Sequence, residues 1–154
     1  MHQPITHLPP EFPEPWASDW GEDKYSLWMA FTYKGVRQSF RWIEPELELK
    51  HSNDESQHEV ILTQGFWLAE TTCTQALWRV VMGENHGDFQ NEDRPVEQVS
   101  REDVQTFIAK LNHLKPALAL RLPTDAEWEY ICRHNHLHPD IRLNDIGFRL
   151  ARGG

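Results

Sequence analysis

From Leu27 to Ile43 apolar side chains fall at every second position: Leu27, Met29, Phe31 and Tyr33, then a break at Lys34-Gly35, then Val36, Phe40 and Trp42. Period two on both sides of a two-residue break predicts a β-hairpin. A second pair of strands is expected over Glu59–Leu62 and Phe66–Ala69 around Thr63-Gln64-Gly65, and a C-terminal strand over Ile146–Ala151. Three short helices are marked by their start signals. Thr72-x-x-Gln75 reads as a capping box ahead of Ala76, Leu77, Val80 and Val81, with Gly83 placed to end the helix in a left-handed conformation. Ser100-x-x-Asp103 precedes Val104, Phe107, Ile108 and Leu111, one apolar stripe at i, i+3, i+4 and i+7. Thr124-x-x-Glu127 opens the third helix, with Trp128, Ile131 and Cys132 expected on its buried side and Trp128 stapling back on Pro123.

Elsewhere the alternation is lost. Residues 44–58 and 86–97 are polar connections. Residues 1–24 hold Pro4, Pro9, Pro10, Pro13 and Pro15 together with Trp16 and Trp20. Proline forbids a helix there and tryptophan is uncommon in free linkers, so residues 1–26 are expected to form an irregular strap over the core, both indoles partly buried. The remainder, 27–154, then forms a single domain, a size at which one hydrophobic core is feasible.

Composition narrows the class. With 39% hydrophobic and 25% charged residues, and no apolar run approaching the length of a membrane span, the chain is expected to be globular rather than membrane-embedded. The first residues carry no basic region followed by an apolar stretch, so a cytoplasmic location is the default. The net charge is −9, and residues 1–26 (five acids, one base) and 44–59 (six acids, one base) account for all of it. An acidic chain without a basic stripe repels phosphate backbones, which argues against nucleic acid as a partner.

Four strings in order, Gly65-Phe-Trp-Leu-Ala-Glu-Thr-Thr-Cys-Thr-Gln-Ala-Leu-Trp78, Arg94-Pro-Val-Glu-Gln-Val-Ser100, Leu120-Arg-Leu-Pro-Thr-Asp-Ala-Glu-Trp-Glu-Tyr-Ile-Cys-Arg133 and Gly147-Phe-Arg-Leu-Ala-Arg152, resemble the formylglycine-generating-enzyme, or sulfatase-modifying-factor, family. The resemblance implies an α+β fold of C-type lectin-like type, with short helices and small antiparallel sheets. It also exposes a departure. Family members have a long stretch between the third and fourth strings, carrying calcium ligands and, in the enzymes, the paired cysteines that bind copper(I) and activate oxygen. Here only His134 to Ile146 fills that interval, and no cysteine follows Cys132. The chain reads as a shortened member of the family, and neither calcium nor copper is expected unless those sites survive in another form.

Candidate chemistry is correspondingly thin. Cys73 and Cys132 form no CxxC pair and are both expected in the core, although two thiolates together would suit copper(I). His134, His136 and His138 with Asp140 are the densest set of metal-ligand types. On a strand, alternate imidazoles share a face and could bind Zn²⁺ or Ni²⁺, but Pro139 interrupts the run and a solvated connector is the favoured reading. No nucleophile triad or glycine-rich phosphate loop is present. The expected function is a non-catalytic binding or structural domain, with a protein or small ligand as partner. The alternatives are a copper-dependent oxidase converting a sulfatase cysteine to formylglycine, and a variable ligand-binding protein of a diversity-generating retroelement, whose variable segment ends in a similar Gly-Phe-Arg strand. Missing central strands would also leave sheet edges open, making a homodimer a further expectation.

Overall fold

The computed structural model describes residues 8–24, 26–45, 64–83, 99–133 and 148–153. Among these residues five antiparallel strands form one sheet in chain order: β1 (Asp19–Glu22), β2 (Leu27–Tyr33), β3 (Val36–Ile43), β4 (Phe66–Ala69) and β5 (Ala151–Gly153). The described residues between β4 and β5 form the helices α1 (Gln75–Met82), α2 (Arg101–Leu114) and α3 (Asp125–Arg133), with a 3₁₀ turn at Pro116–Leu118 after α2. None of the helices among the described residues is long and apolar enough to cross a membrane.

The hairpin forms as the alternation predicts. Tyr33 pairs with Val36, and Lys34 and Gly35 both take positive φ (49° and 81°), the backbone that matches the twist of the flanking strands. Alternation then sorts side chains to two faces. Met29, Phe31, Phe40, Trp42, Trp67 and Ala69 pack on one face against Leu77 and Trp78 of α1 and Phe107 and Leu111 of α2. Ile43, Phe66, Leu68 and Ala151 pack on the other face with Tyr130 and Ile131 of α3. Glu59–Leu62, the expected partner strand of Phe66–Ala69, lies outside the described residues; β4 pairs instead with β3 and β5.

The helix caps follow the sequence with one shift. Ser100 and Asp103 exchange both bonds of a capping box at 3.0 Å, and Gly83 ends α1 with φ 72° and its N–H on Arg79 O. At α1, however, Thr74 rather than Thr72 caps, its hydroxyl accepting from Leu77 N at 3.2 Å. The Cys73 N–H is already committed to Phe148 O at 2.7 Å, which holds Thr72-Cys73 in the tertiary ladder and delays the helix by two residues. α3 carries its box on Thr124, but buries Glu127, Tyr130 and Ile131; Trp128 is half-buried and Cys132 is exposed. Tyr130 turns inward because its hydroxyl reaches Glu44 O at 3.3 Å, so its ring fills the second core while its polar tip keeps a partner.

The N-terminal segment is not irregular throughout: β1 lies within it and pairs with β2 from Asp19↔Ala30 to Glu22↔Leu27. Before it, Phe12 stacks on Trp67 (6.0 Å between centroids) and Trp16 meets Phe31 and Phe40 edge-on. Arg152 lies over the Trp16 ring and pairs with Glu14, so the strap is tied to β5 by charge as well as by apolar contact. Trp16 is half-buried as expected, whereas Trp20 is 51% exposed: it lies on the edge strand, beyond the reach of the core. Of the expected C-terminal strand, Ile146 and Gly147 lie outside the described residues, and residues 148–150 precede β5, which starts at Ala151. Phe148 O and Leu150 O accept from Cys73 N and Ala69 N, tertiary bonds that replace a regular ladder before β5 starts.

Gly65 opens β4 where no side chain fits. A Cβ there would lie 2.3 Å from Cζ2 of Trp42 and 2.8 Å from the Ile43 carbonyl oxygen, and Trp42 is itself buried. Gly65→Ala is therefore expected to destabilise the fold by about 2–3 kcal/mol, read as a lowered urea midpoint. An unchanged midpoint would show that the Trp42 ring can swing aside.

Candidate functional site

The two cysteines occupy different surroundings. Cys73 is fully enclosed in the larger core cluster, and burial pushes its thiol well above the ordinary range, so it stays protonated and inert. Cys132 is exposed near the end of α3, which corrects the expectation that both are core residues. Ile131 and Tyr130 already supply the side of α3 that meets the sheet. His134, His136, His138 and Asp140 lie outside the described residues. Among the described residues, no three His, Cys, Asp or Glu side chains are grouped to hold a metal ion.

What the sheet does assemble is a charged network on the face opposite α1 and α2, beside Ile43 and Leu68. Arg41 is buried (7% exposed), with its Nε donating to Glu70 Oε1 at 2.6 Å and its NH1 to Asp23 Oδ1 at 2.7 Å. Burial acts to lower the pKa of this guanidinium, but the two carboxylates prevail and raise it. Ser39 Oγ donates to the second Glu70 oxygen at 2.7 Å, and Arg149 NH1 donates to the carbonyls of Ala69 and Glu70 at 3.3 and 3.2 Å. The β1–β2 turn, β3, the end of β4 and the chain entering β5 are thereby tied together. Further along the same face Arg37 donates to Asp19 through NH2 to Oδ2 at 2.7 Å and Nε to Oδ1 at 3.2 Å, and lies over the Trp28 ring. That hydrogen bond holds the Asp19 carboxyl below its usual range. A second clasp joins Arg121 to Glu127, NH1 to Oε1 at 2.6 Å and NH2 to Oε2 at 2.8 Å, beside the Thr124 cap.

Each of these carboxylates is engaged by an arginine, an arrangement that locks geometry instead of poising a proton for transfer. The network was not legible beforehand, because Arg41 meets partners 18 and 29 residues away and no local spacing announces them. Arg149 was visible only as part of the Gly-Phe-Arg string; its bonds to the end of β4 give that string a structural task. The described residues also form an open, mostly apolar groove between α1 and α2, lined by Val81, Thr106, Ala109, Lys110, His113 and Leu114.

Comparison with known proteins places this scaffold. The family model for sulfatase-modifying factor enzyme 1-like domains matches residues 36–137, more than half of the chain. The chain belongs to that family. No curated protein matches it. Among solved structures it is similar to variable protein 1 of Treponema denticola, at 21% identity and a TM-score of 0.52, over 69% of this chain. The aligned part spans 56% of that protein's length. The fold of this family member is α+β and C-type lectin-like, as the four strings implied.

Proposed function

We propose that this sulfatase-modifying factor enzyme 1-like domain is a cytoplasmic, non-catalytic binding domain that presents its surface to a protein or small ligand. The observation that carries the reading is the state of the thiols. The family's oxidase chemistry rests on a pair of cysteines that bind copper(I); here Cys73 is enclosed and inert, Cys132 faces solvent, and the sequence holds no third cysteine. Both are free thiols, in keeping with a reducing compartment. The scaffold around them is intact, its strands and caps held by the arginine clasps. Incubation with a cysteine-containing sulfatase-motif peptide, copper and oxygen is expected to leave the peptide mass unchanged. Conversion to formylglycine would overturn the reading and restore the copper-dependent oxidase.

A second reading, a variable ligand-binding protein, draws support from the fold shared with Treponema denticola variable protein 1 and from the C-terminal Gly147-Phe-Arg string. It specifies the same class of activity, binding without chemistry, and differs in making the ligand changeable.

A further inference from the structure

The sheet has two edges, and they are treated differently. On β5 the backbone of Ala151 exchanges both bonds with Arg121, N to O at 2.8 Å each way, so that edge is covered at Ala151. β1 is the other edge, and among the described residues only β2 pairs with it. Asp23 N–H bonds Ser26 O, so the antiparallel alternation turns Gly21 toward β2 and leaves the N–H and C=O groups of Trp20 and Glu22 facing outward. The side chains of these same two residues form the exposed stripe of the strand, while Asp19 and Gly21 are covered by Arg37 and Trp28.

An indole 51% exposed beside backbone groups that no described residue pairs is well suited to a contact. We propose that the β1 edge is a docking site for an extended segment of another protein, added as a sixth strand, with a lysine or arginine and a bulky apolar residue two positions apart. The apolar residue lies against Trp20 and the cation against Glu22, on one face of the enlarged sheet. Charge decides the class of occupant. Of the acids in residues 8–24, Glu14, Asp19 and Asp23 are held by Arg152, Arg37 and Arg41, and Glu22 stands exposed on the strand itself. A second copy is disfavoured, because it would bring together two chains of net charge −9, each presenting an exposed Glu22 on the pairing strand. The proposal stands whether or not the domain oxidises cysteine.

The test uses the whole chain and two labelled peptides, one with lysine and phenylalanine at alternate positions, the other with glutamate in place of lysine. The lysine peptide is expected to bind at least tenfold more tightly, and Trp20→Ala to weaken it about tenfold. Glu22→Pro removes an outward N–H without touching the β2 ladder, and is expected to abolish binding while the thermal melt is retained. Trp20→Ala supplies the independent check if the proline variant melts early. The proposal fails if neither peptide binds, if the charge of the peptide makes no difference, or if Glu22→Pro folds and binds normally. It also fails if the free protein sediments as a dimer that Trp20→Ala dissociates.

Discussion

Replacing Trp78 with alanine is expected to remove about 3–5 kcal/mol of stability, the range for deleting a buried tryptophan side chain. Trp78 is fully buried in α1 and stacks on Phe107 of α2 at 5.0 Å with rings nearly parallel. Phe148 closes the group, meeting both rings edge-on at 6.0 and 5.6 Å. One side chain thus joins α1, α2 and the chain entering β5, and deleting it leaves three elements facing one cavity. Neighbours cannot collapse into the space, because Leu77 and Leu111 are already packed in the same cluster. A domain of this kind has about 5–15 kcal/mol in total, so the loss is a large share, equivalent to a fall of roughly 10 °C in Tm. Trp78→Phe keeps a ring on Phe107 and should lose markedly less. Equal losses for the two variants in calorimetry would show that ring stacking contributes little and that volume alone matters.

That cluster also shows where sequence reading reaches its limit. Leu77, Phe107 and Leu111 were legible as core from helical spacing, and the Lys34-Gly35 hairpin and the Ser100 and Thr124 boxes from their turn and cap residues, because each signal is complete within four to eight positions. The stacking of Trp78 on Phe107 is not local and has no pattern to betray it. β1 was missed for a related reason: Asp19-Trp-Gly-Glu22 is too short to show a period, and its pairing depends on the register of Leu27–Tyr33. The box pattern points to Thr72 because it cannot see the Cys73–Phe148 bond that delays the helix to Thr74. Cys132 was placed in the core by its apolar neighbours, although Tyr130 takes the inward position. Of the site chemistry, the cysteine content could be read directly, while the arginine clasps that organise the scaffold required the sheet to be formed.

The Arg121–Glu127 clasp provides the second large effect, and its dependence on pH separates ionisation from packing. Glu127 accepts from two guanidinium nitrogens and from the Thr124 N–H at 2.8 Å, while Arg121 holds β5 through its own backbone. Burial works to raise the Glu127 pKa, but the bonds from Arg121 and Thr124 outweigh it and hold the carboxyl below the ordinary glutamate value of 4.5. A folded pKa below the unfolded one means that the contribution is fully present above the unfolded pKa and is lost as pH falls through the folded one. Glu127→Gln is therefore expected to cost about 2 kcal/mol at pH 7 and progressively less below about pH 4. Other carboxylates titrate in both proteins, so the difference between their urea midpoints isolates this group. Parallel curves down to pH 3 would show that Glu127 is held as a neutral acid and that the clasp is only packing. Combining Glu127→Gln with Arg121→Ala should recover about 1–2 kcal/mol relative to the sum of the single changes, a modest coupling because the Arg121 side chain is 37% exposed and water screens it. Glu127 alone, left facing the core without its guanidinium, makes Arg121→Ala the more damaging single change. That asymmetry is what a clasp serving the cap of α3 and the edge of β5 together would produce.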